Sequence, residues 1–151
     1  MQHVFFYGSI AAVWILLIAS GFARPIRLRH VLTGIAALGY STLFDCFFGI
    51  YMGLYYYLNA SDSIIYVLIS ALLLYPELDV IYILFLPKNT KTVFVYTAAW
   101  LAAMLLFEIA SLRTLTIVFT GWTLFPWSVV TYLFTFTWLN LYYRYLQRKG
   151  L

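Results

Sequence analysis

The chain has 151 residues, of which 65% are hydrophobic and 9% are charged, and its formal net charge at pH 7 is +4. A soluble domain averages about 45–50% apolar and about 25% charged residues, so this composition excludes an ordinary soluble protein. The small positive charge comes from short loops and is weak evidence for a nucleic-acid partner, so we expect none. The chain is predicted to be a multi-pass protein of the cytoplasmic membrane, in contact with the lipid bilayer.

Five apolar segments follow one another along the chain. Each has roughly the 20 residues that a helix needs to cross the hydrocarbon, and the runs are continuous, which favours helices over the alternating strands of a barrel. The connecting loops are too short to hold a further domain. We therefore predict one all-α bundle over residues 1–151, with five transmembrane helices at about 4–22, 31–58, 63–86, 92–112 and 126–143.

The basic residues predict the orientation of this bundle. Eight of the nine lie in the first loop, in the third loop or after the last segment, and only Arg113 lies on the other side. The positive-inside rule then places the N-terminus outside and the C-terminus inside. Arg24, Arg27 and Arg29 in the first loop alternate with apolar residues, a pattern that sets topology and also suits an anionic lipid headgroup.

The second segment carries Asp45 on a stripe of small and polar residues that includes Ser41, Gly49 and Gly53. The two glycines form a GxxxG pattern, which predicts a close contact with another helix. A carboxylate at bilayer depth costs about 2.5–3.5 kcal/mol even on the lenient insertion scale, so Asp45 is expected to face protein. Two interpretations stay open, a hydrogen bond to Ser or Tyr across a helix contact and an ion or proton site.

The third segment contains two acids beside a proline. Pro76 removes a backbone donor and predicts a bend in the helix. Glu77 shares a face with Ser70, whereas Asp79 lies about 200° further round and shares a face with Tyr75. The two acids are therefore not expected to act as a pair, and each is a candidate for a buried polar or ion site.

The fourth segment ends in another acid. Glu108 lies near the outer end of its helix, where a partly hydrated ion pair with Arg113 is the simplest expectation. Ala99 and Ala103 belong to small-xxx-small pairs, which predict packing against a helix. Residues 114–125 are apolar but interrupted by glycine, and this pattern leaves open whether the segment is interfacial or re-entrant.

No catalytic, metal-binding or cofactor signature is present. His3 and His30 are expected at opposite membrane faces, which argues against haem or zinc ligation within the bundle. The sequence has no phosphate-binding glycine loop and no arrangement of Cys46 with a histidine that would make a nucleophile. Carboxylate, hydroxyl and carbonyl oxygens favour a proton, Na⁺, Mg²⁺ or Ca²⁺ as any bound cation. We expect no resident cofactor or metal, and a function other than catalysis is favoured.

Four short sequence features occur in an order that resembles that of a known family. They are Asp45 in the second segment, Leu86-Pro87 before the third loop, Phe107-Glu108 late in the fourth segment, and Gly121-Trp122 before a tyrosine-rich last segment. The chain resembles a family of small, uncharacterised integral membrane proteins from spore-forming Gram-positive bacteria. This resemblance implies a cytoplasmic-membrane protein of a few helices and implies no activity.

Three functions are compatible with these observations. The first is a membrane interaction or assembly subunit whose packed helices and buried acids contact a partner membrane protein or a second copy of the chain. The alternative is a small transporter or channel component that carries protons or cations past Asp45, Glu77 and Asp79. An intramembrane enzyme acting on lipid ranks third, because carboxylates for acid–base work are present but a nucleophile and a headgroup site are not recognisable.

Overall fold

The computed structural model describes residues 1–150, and these are mostly helical. Two short strands, β1 (Tyr55–Tyr57) and β2 (Ile117–Phe119), interrupt the helices, and single wider turns of π type cover Cys46–Tyr51 and Leu124–Ser128. The all-α class is thereby confirmed. The helices are α1 (Gln2–Ala23), α2 (Leu28–Asp45), α3 (Ser63–Leu73), α4 (Tyr75–Leu84), α5 (Thr90–Arg113) and α6 (Val129–Arg148).

Four helical stretches are long and apolar enough to cross a membrane by length and composition. They are Gln2–Ala23, Leu28–Tyr51, Ala60–Leu84 and Thr90–Arg113. The last helix, α6, is not among the four, because polar residues such as Asn140 and Arg144 dilute its apolar run. The first four predicted segments therefore have matching apolar helices, and a membrane crossing by five helices stays a prediction.

The expected bend beside Pro76 is confirmed as the break between α3 and α4. Leu74 lies between the two helices with φ −129° and ψ −61°, outside helical values. Pro76 occupies the first turn of α4, where its missing N–H costs no helical hydrogen bond. The third apolar segment is therefore one rod with a kink near its middle, and this kink sets the direction in which Tyr75 and Asp79 project.

Consecutive long helices run antiparallel, so the loops that connect them lie at the two ends of the bundle. At one end, the Arg24 guanidinium donates to the Leu84 carbonyl at 3.1 Å, and the His30 imidazole contacts the Tyr143 hydroxyl at 3.0 Å. These contacts bring the first loop, the third loop and the end of α6 together. Most of the basic residues therefore lie at the same end of the molecule.

At the opposite end, β1 and β2 form a small antiparallel sheet. Tyr56 is directly opposite Val118, with Tyr55 opposite Phe119 and Tyr57 opposite Ile117. The turn after β2 is held against the start of β1, because the backbone N–H groups of Gly121 and Trp122 both donate to the carbonyl of Leu54, the residue before β1, at 3.0 Å. The segment 114–125, expected to be interfacial or re-entrant, thus contributes a strand and a turn that cover the end of the bundle.

The glycine pattern in the second segment does not make the helix contact that we expected. Gly53 is exposed, has φ +63° and would have nothing within 4 Å of an added Cβ, so the prediction of a helix contact there is wrong. Gly49 is closely packed, but its neighbour is the ring of Tyr55, whose Cε2 lies 2.9 Å from the position of a Cβ. The regular helix ends before Gly53, so the expected helical spacing does not continue that far.

The two alanines of α5 also lack the contact that their spacing predicts. Ala99 and Ala103 are exposed, so no helix of residues 1–150 packs closely over them. Close packing is found instead where α2 crosses α4, because a Cβ on Gly34 would lie 2.9 Å from Val80 Cγ2. The small residues that bring helices together are therefore on α2, nearer the start of the stripe.

Candidate functional site

Asp45, at the end of α2, accepts hydrogen bonds from two tyrosines of β1. The Tyr55 hydroxyl donates to Oδ1 at 2.6 Å, and the Tyr57 hydroxyl donates to Oδ2 at 3.2 Å. The Tyr57 hydroxyl also contacts the Tyr75 hydroxyl of α4 at 2.6 Å. Asp45 is only 7% exposed, so these phenols replace the water that its carboxyl would otherwise bind.

The strand explains why two tyrosines reach the same carboxyl. Side chains alternate along a strand, so Tyr55 and Tyr57 point to one face while Tyr56 points to the other. Both of the former are buried and Tyr56 is half-buried. A tyrosine or serine partner for Asp45 was one expectation, across a contact between helices. The partners are tyrosines, and they belong to a strand.

Glu108 takes part in a second chain of hydrogen bonds. The indole N–H of Trp122 donates to Ser128 Oγ at 2.9 Å, and Ser128 Oγ donates to Glu108 Oε1 at 2.8 Å. The Tyr132 hydroxyl lies near the same carboxyl. Even so, Oε2 is buried with no partner that meets hydrogen-bond geometry anywhere in residues 1–150.

The prediction of an ion pair between Glu108 and Arg113 is wrong. Five residues advance a helix by about 500°, which places Arg113 about 140° round the axis from Glu108. Glu108 is 6% exposed and faces the bundle interior, whereas Arg113 is exposed at the end of α5. Side chains three or four residues apart meet on a helix surface, and a spacing of five does not bring them together.

Both hydrogen-bonded chains border one cavity of about 110 Å³, partly open to the outside, that lies below the sheet and between α2, α4, α5 and α6. It has space for several water molecules. Three carboxyl groups reach it, from Asp45, Asp79 and Glu108. The remaining lining residues are mostly aromatic or hydroxylated: Tyr40, Ser41, Phe44, Tyr55, Tyr57, Tyr75, Met104, Ile117, Trp122, Ser128, Thr131, Tyr132, Thr135 and Phe136.

The candidate polar residues chosen from the sequence divide between the cavity and its surroundings. Glu77 is 8% exposed and does not line the cavity, and its Oε2 is buried without a hydrogen-bond partner among residues 1–150. Ser70 is buried and donates to the Val67 carbonyl of its own helix. The residues that meet at the cavity are Asp45, Asp79, Glu108, Ser41 and Tyr75.

The only charged side chains among the described residues that line the cavity are acidic. Of the 17 lining residues, three are acids, and no Lys, Arg or His of residues 1–150 is among them. The acids do not converge on one point, since no three His, Cys, Asp or Glu side chains in the described chain are grouped closely enough to hold a metal ion. The cavity therefore presents separated acceptors along an aromatic wall.

Most of the partners of the acids are not identifiable from the sequence. From the sequence, Trp122 is expected in an outer aromatic belt, and Tyr55 and Tyr57 are expected at headgroup level. The Ser128 hydroxyl is expected either to solvate an acid of a neighbouring helix or to bond a carbonyl of its own helix. Three tyrosines in a row show no alternation of residue type, so no pattern in the sequence marks this strand. The sequence does not indicate that Glu108 is the acid that Ser128 contacts, because that contact depends on how α5 and α6 pack.

The three basic residues of the first loop do not form one group. The Arg24 guanidinium donates to the Leu84 carbonyl and lies 4.8 Å above the ring of Phe85, which satisfies one of the free carbonyls at the end of α4. Arg27 is exposed, and the Arg29 guanidinium lies 5.7 Å from the ring of Tyr143. Binding of a lipid headgroup by these residues stays a prediction.

The geometry defines a class of structure, a helical bundle with an acidic, aromatic-walled cavity closed at one end by a two-stranded sheet. Comparisons of the chain with protein-family models, with curated proteins and with solved structures find no match. The family resemblance drawn from the sequence therefore stays a prediction. The function has to be argued from the cavity itself.

Proposed function

We propose that this chain is a multi-pass membrane protein whose interior cavity binds a cation or proton, as a small transporter or channel component. One observation carries the proposal. Three carboxyl groups, on Asp45 of α2, Asp79 of α4 and Glu108 of α5, line a single cavity in an apolar bundle. No basic side chain of the described residues lines that cavity to neutralise them. A cation is the missing partner of such a site.

The outer surface supports placement in a membrane. Large apolar side chains project outward along the long helices, for example Leu43 at 74% exposure and Phe94 at 78%. Soluble proteins rarely expose contiguous apolar surface of this kind, whereas acyl chains cover it without cost. With α6 as a fifth span and the basic end in the cytoplasm, the sheet would lie on the outer side.

The free-energy cost of placing the acids inside a bilayer supports a functional role for the cavity. On the insertion scale, three carboxylates at bilayer depth would together cost about 8–10 kcal/mol if they were bare. This is comparable with the whole stability of a typical domain, about 5–15 kcal/mol. The tyrosines and Ser128 offset part of this cost at Asp45 and Glu108. Three acids at one cavity do not stabilise an apolar bundle, whereas a bound cation would compensate their negative charge.

Reconstituted vesicles test the proposal. The purified chain is incorporated into liposomes, and flux is driven by an imposed gradient. Proton flux is followed with a pH-sensitive dye, and cation flux is followed with a dye for the cation tested. Asp79→Asn and Glu108→Gln are expected to abolish the flux, because each removes a cavity charge while keeping the side-chain volume. Glu77→Gln is the matched control, since Glu77 is a buried acid outside the cavity. Full flux through both cavity variants would contradict the proposal.

The second candidate is an interaction or assembly subunit, and the exposed alanines of α5 favour it. Ala99 and Ala103 are one turn apart and uncovered, which suits close approach of a helix from a partner or from a second copy. Ala103→Leu is expected to disrupt an assembly seen by chemical crosslinking in membranes. Phe94→Leu, on an exposed apolar position of the same helix, is the control. Crosslinking unchanged by Ala103→Leu would count against this function.

A further inference from the structure

We infer that the cation bound in the cavity is a small organic ammonium ion, and that the site distinguishes it from a bare metal cation. This inference rests on the proposed function and names the class of its ligand. It is carried by three features of the cavity: aromatic walls, carboxyl groups that are spread apart, and a lining with no basic side chain of the described residues.

The walls of the cavity are rich in ring surfaces. Eight of the 17 lining residues are aromatic, and they include Tyr40, Phe44, Trp122 and Phe136. The faces of such rings attract a cation electrostatically, and they are most effective where water is displaced. A quaternary or alkylated ammonium carries its charge over a weakly hydrated apolar surface, so it loses little by exchanging water for these rings.

The carboxyl groups are poorly arranged for a metal cation. Ca²⁺ needs about six to eight oxygen ligands, and Mg²⁺ needs near-octahedral geometry. No three acidic, His or Cys side chains in residues 1–150 are grouped to share one ion. The two oxygens of Asp45 already accept from Tyr55 and Tyr57. Spread acceptors suit a larger cation whose charge can be approached from several sides.

The charge of the cavity points to a cation. Glu108 is 6% exposed and lines the cavity, where its Oε1 accepts from Ser128 and the Tyr132 hydroxyl lies beside the same carboxyl. No Lys, Arg or His of the described residues lines the cavity to neutralise this group. A trimethylammonium group has no N–H to donate, so the carboxyl would attract it by charge, next to the aromatic walls.

The size of the cavity agrees with this class of ligand. Its volume of about 110 Å³ exceeds what one or two water molecules need and is too small for a lipid or a nucleotide. Choline is a small cation that presents a quaternary ammonium at one end and a hydroxyl at the other. The hydroxyl has partners in the cavity, since Thr131 and Thr135 also line it.

Calorimetric titration of the full chain in detergent tests the inference, with choline as the probe. The comparison ligand is 3,3-dimethyl-1-butanol, which has the same shape as choline without the charge. We expect choline to bind and the neutral alcohol to bind at least tenfold more weakly. Glu108→Gln is expected to weaken choline binding at least tenfold, and Glu77→Gln is expected to leave it unchanged.

Each other result overturns the inference and is distinguishable from failure of the proposed function. Equal binding of choline and the neutral alcohol would mean an apolar site. Displacement of choline by equimolar Na⁺ would mean a site for small cations. If choline does not bind, but Asp79→Asn still abolishes flux in vesicles, the ligand class is wrong and the proposed function survives. If Glu108→Gln does not fold, Asp79→Asn takes its place in the titration under the same criteria.

Discussion

Asp45 depends on a strand for its hydrogen bonds, and this dependence can be measured one residue at a time. Tyr55→Phe keeps the ring and removes the hydroxyl that donates to Oδ1 at 2.6 Å. Leaving a buried acceptor unpaired costs about 1–3 kcal/mol, so the variant should unfold at lower temperature in detergent. Tyr56→Phe, on the neighbouring residue that points away from Asp45, should change stability by less than about 0.5 kcal/mol. Equal melting of the two variants would show that the hydroxyl contributes nothing.

The close approach of Gly49 to Tyr55 leads to a second residue-level prediction. A Cβ added at Gly49 would lie 2.9 Å from Tyr55 Cε2, so Gly49→Ala must push the ring away from Asp45. Overpacking of this kind costs about 1–3 kcal/mol. Gly39→Ala is the control in the same continuous helical stretch, Leu28–Tyr51, because a Cβ there would meet nothing within 4 Å. It should be neutral or stabilising by up to about 1 kcal/mol. A stabilised Gly49→Ala variant would contradict the packing described here.

At this scale, the sequence predicted which residues are unusual and not how they combine. An acid in an apolar run is recognisable wherever it occurs, so Asp45, Glu77, Asp79 and Glu108 were all found. Which of them meet depends on how each helix is rotated about its axis. A single sequence does not contain that rotation, and for this reason Glu108 joined the cavity while Glu77 did not.

Among the elements, the sheet is the one that links distant parts of the chain. Tyr56 and Val118 are directly opposite each other, so their Cβ atoms should lie about 4.5–5.5 Å apart. In a Cys46→Ser background, the pair Tyr56→Cys and Val118→Cys should join within one chain through a short thiol crosslinker. The pair Tyr56→Cys and Leu133→Cys should not, since Leu133 lies on α6 outside the sheet. Absence of the first crosslink would contradict the strand pairing.

The helices were predictable and the strands were not, for a physical reason. An apolar run of about 20 residues needs only its own composition to be recognised, and the bend at Pro76 needs only a missing N–H. A strand of three residues inside an apolar run has no period of its own that can be read. Ile117–Phe119 becomes a strand because Tyr55–Tyr57 pairs with it, 62 residues away along the chain.

For the whole molecule, the main prediction is its orientation in the membrane. In a Cys46→Ser background, Ser61→Cys should react with a membrane-impermeant thiol reagent from outside intact cells, because Ser61 is exposed beside the sheet. Lys88→Cys, exposed in the third loop at the basic end, should react only after the membrane is opened. The positive-inside rule is the physical basis of both expectations. Labelling of Lys88→Cys in intact cells would show that the orientation is opposite to the predicted one.

The contact between Tyr57 and Tyr75 has a consequence for the direction in which protons are held. An ionised Asp45 can only accept, so the Tyr57 proton must point to Oδ2, and the Tyr75 proton must then point to Tyr57. Once Asp45 carries a proton on Oδ2, it can donate, and both hydroxyls are free to turn round. When Asp45 gains a proton at the end of α2, the hydroxyls of Tyr57 and Tyr75 can reverse the direction of their hydrogen bonds. The change in protonation thereby reaches Tyr75, at the kink of α4, and this reversal requires no movement of a helix.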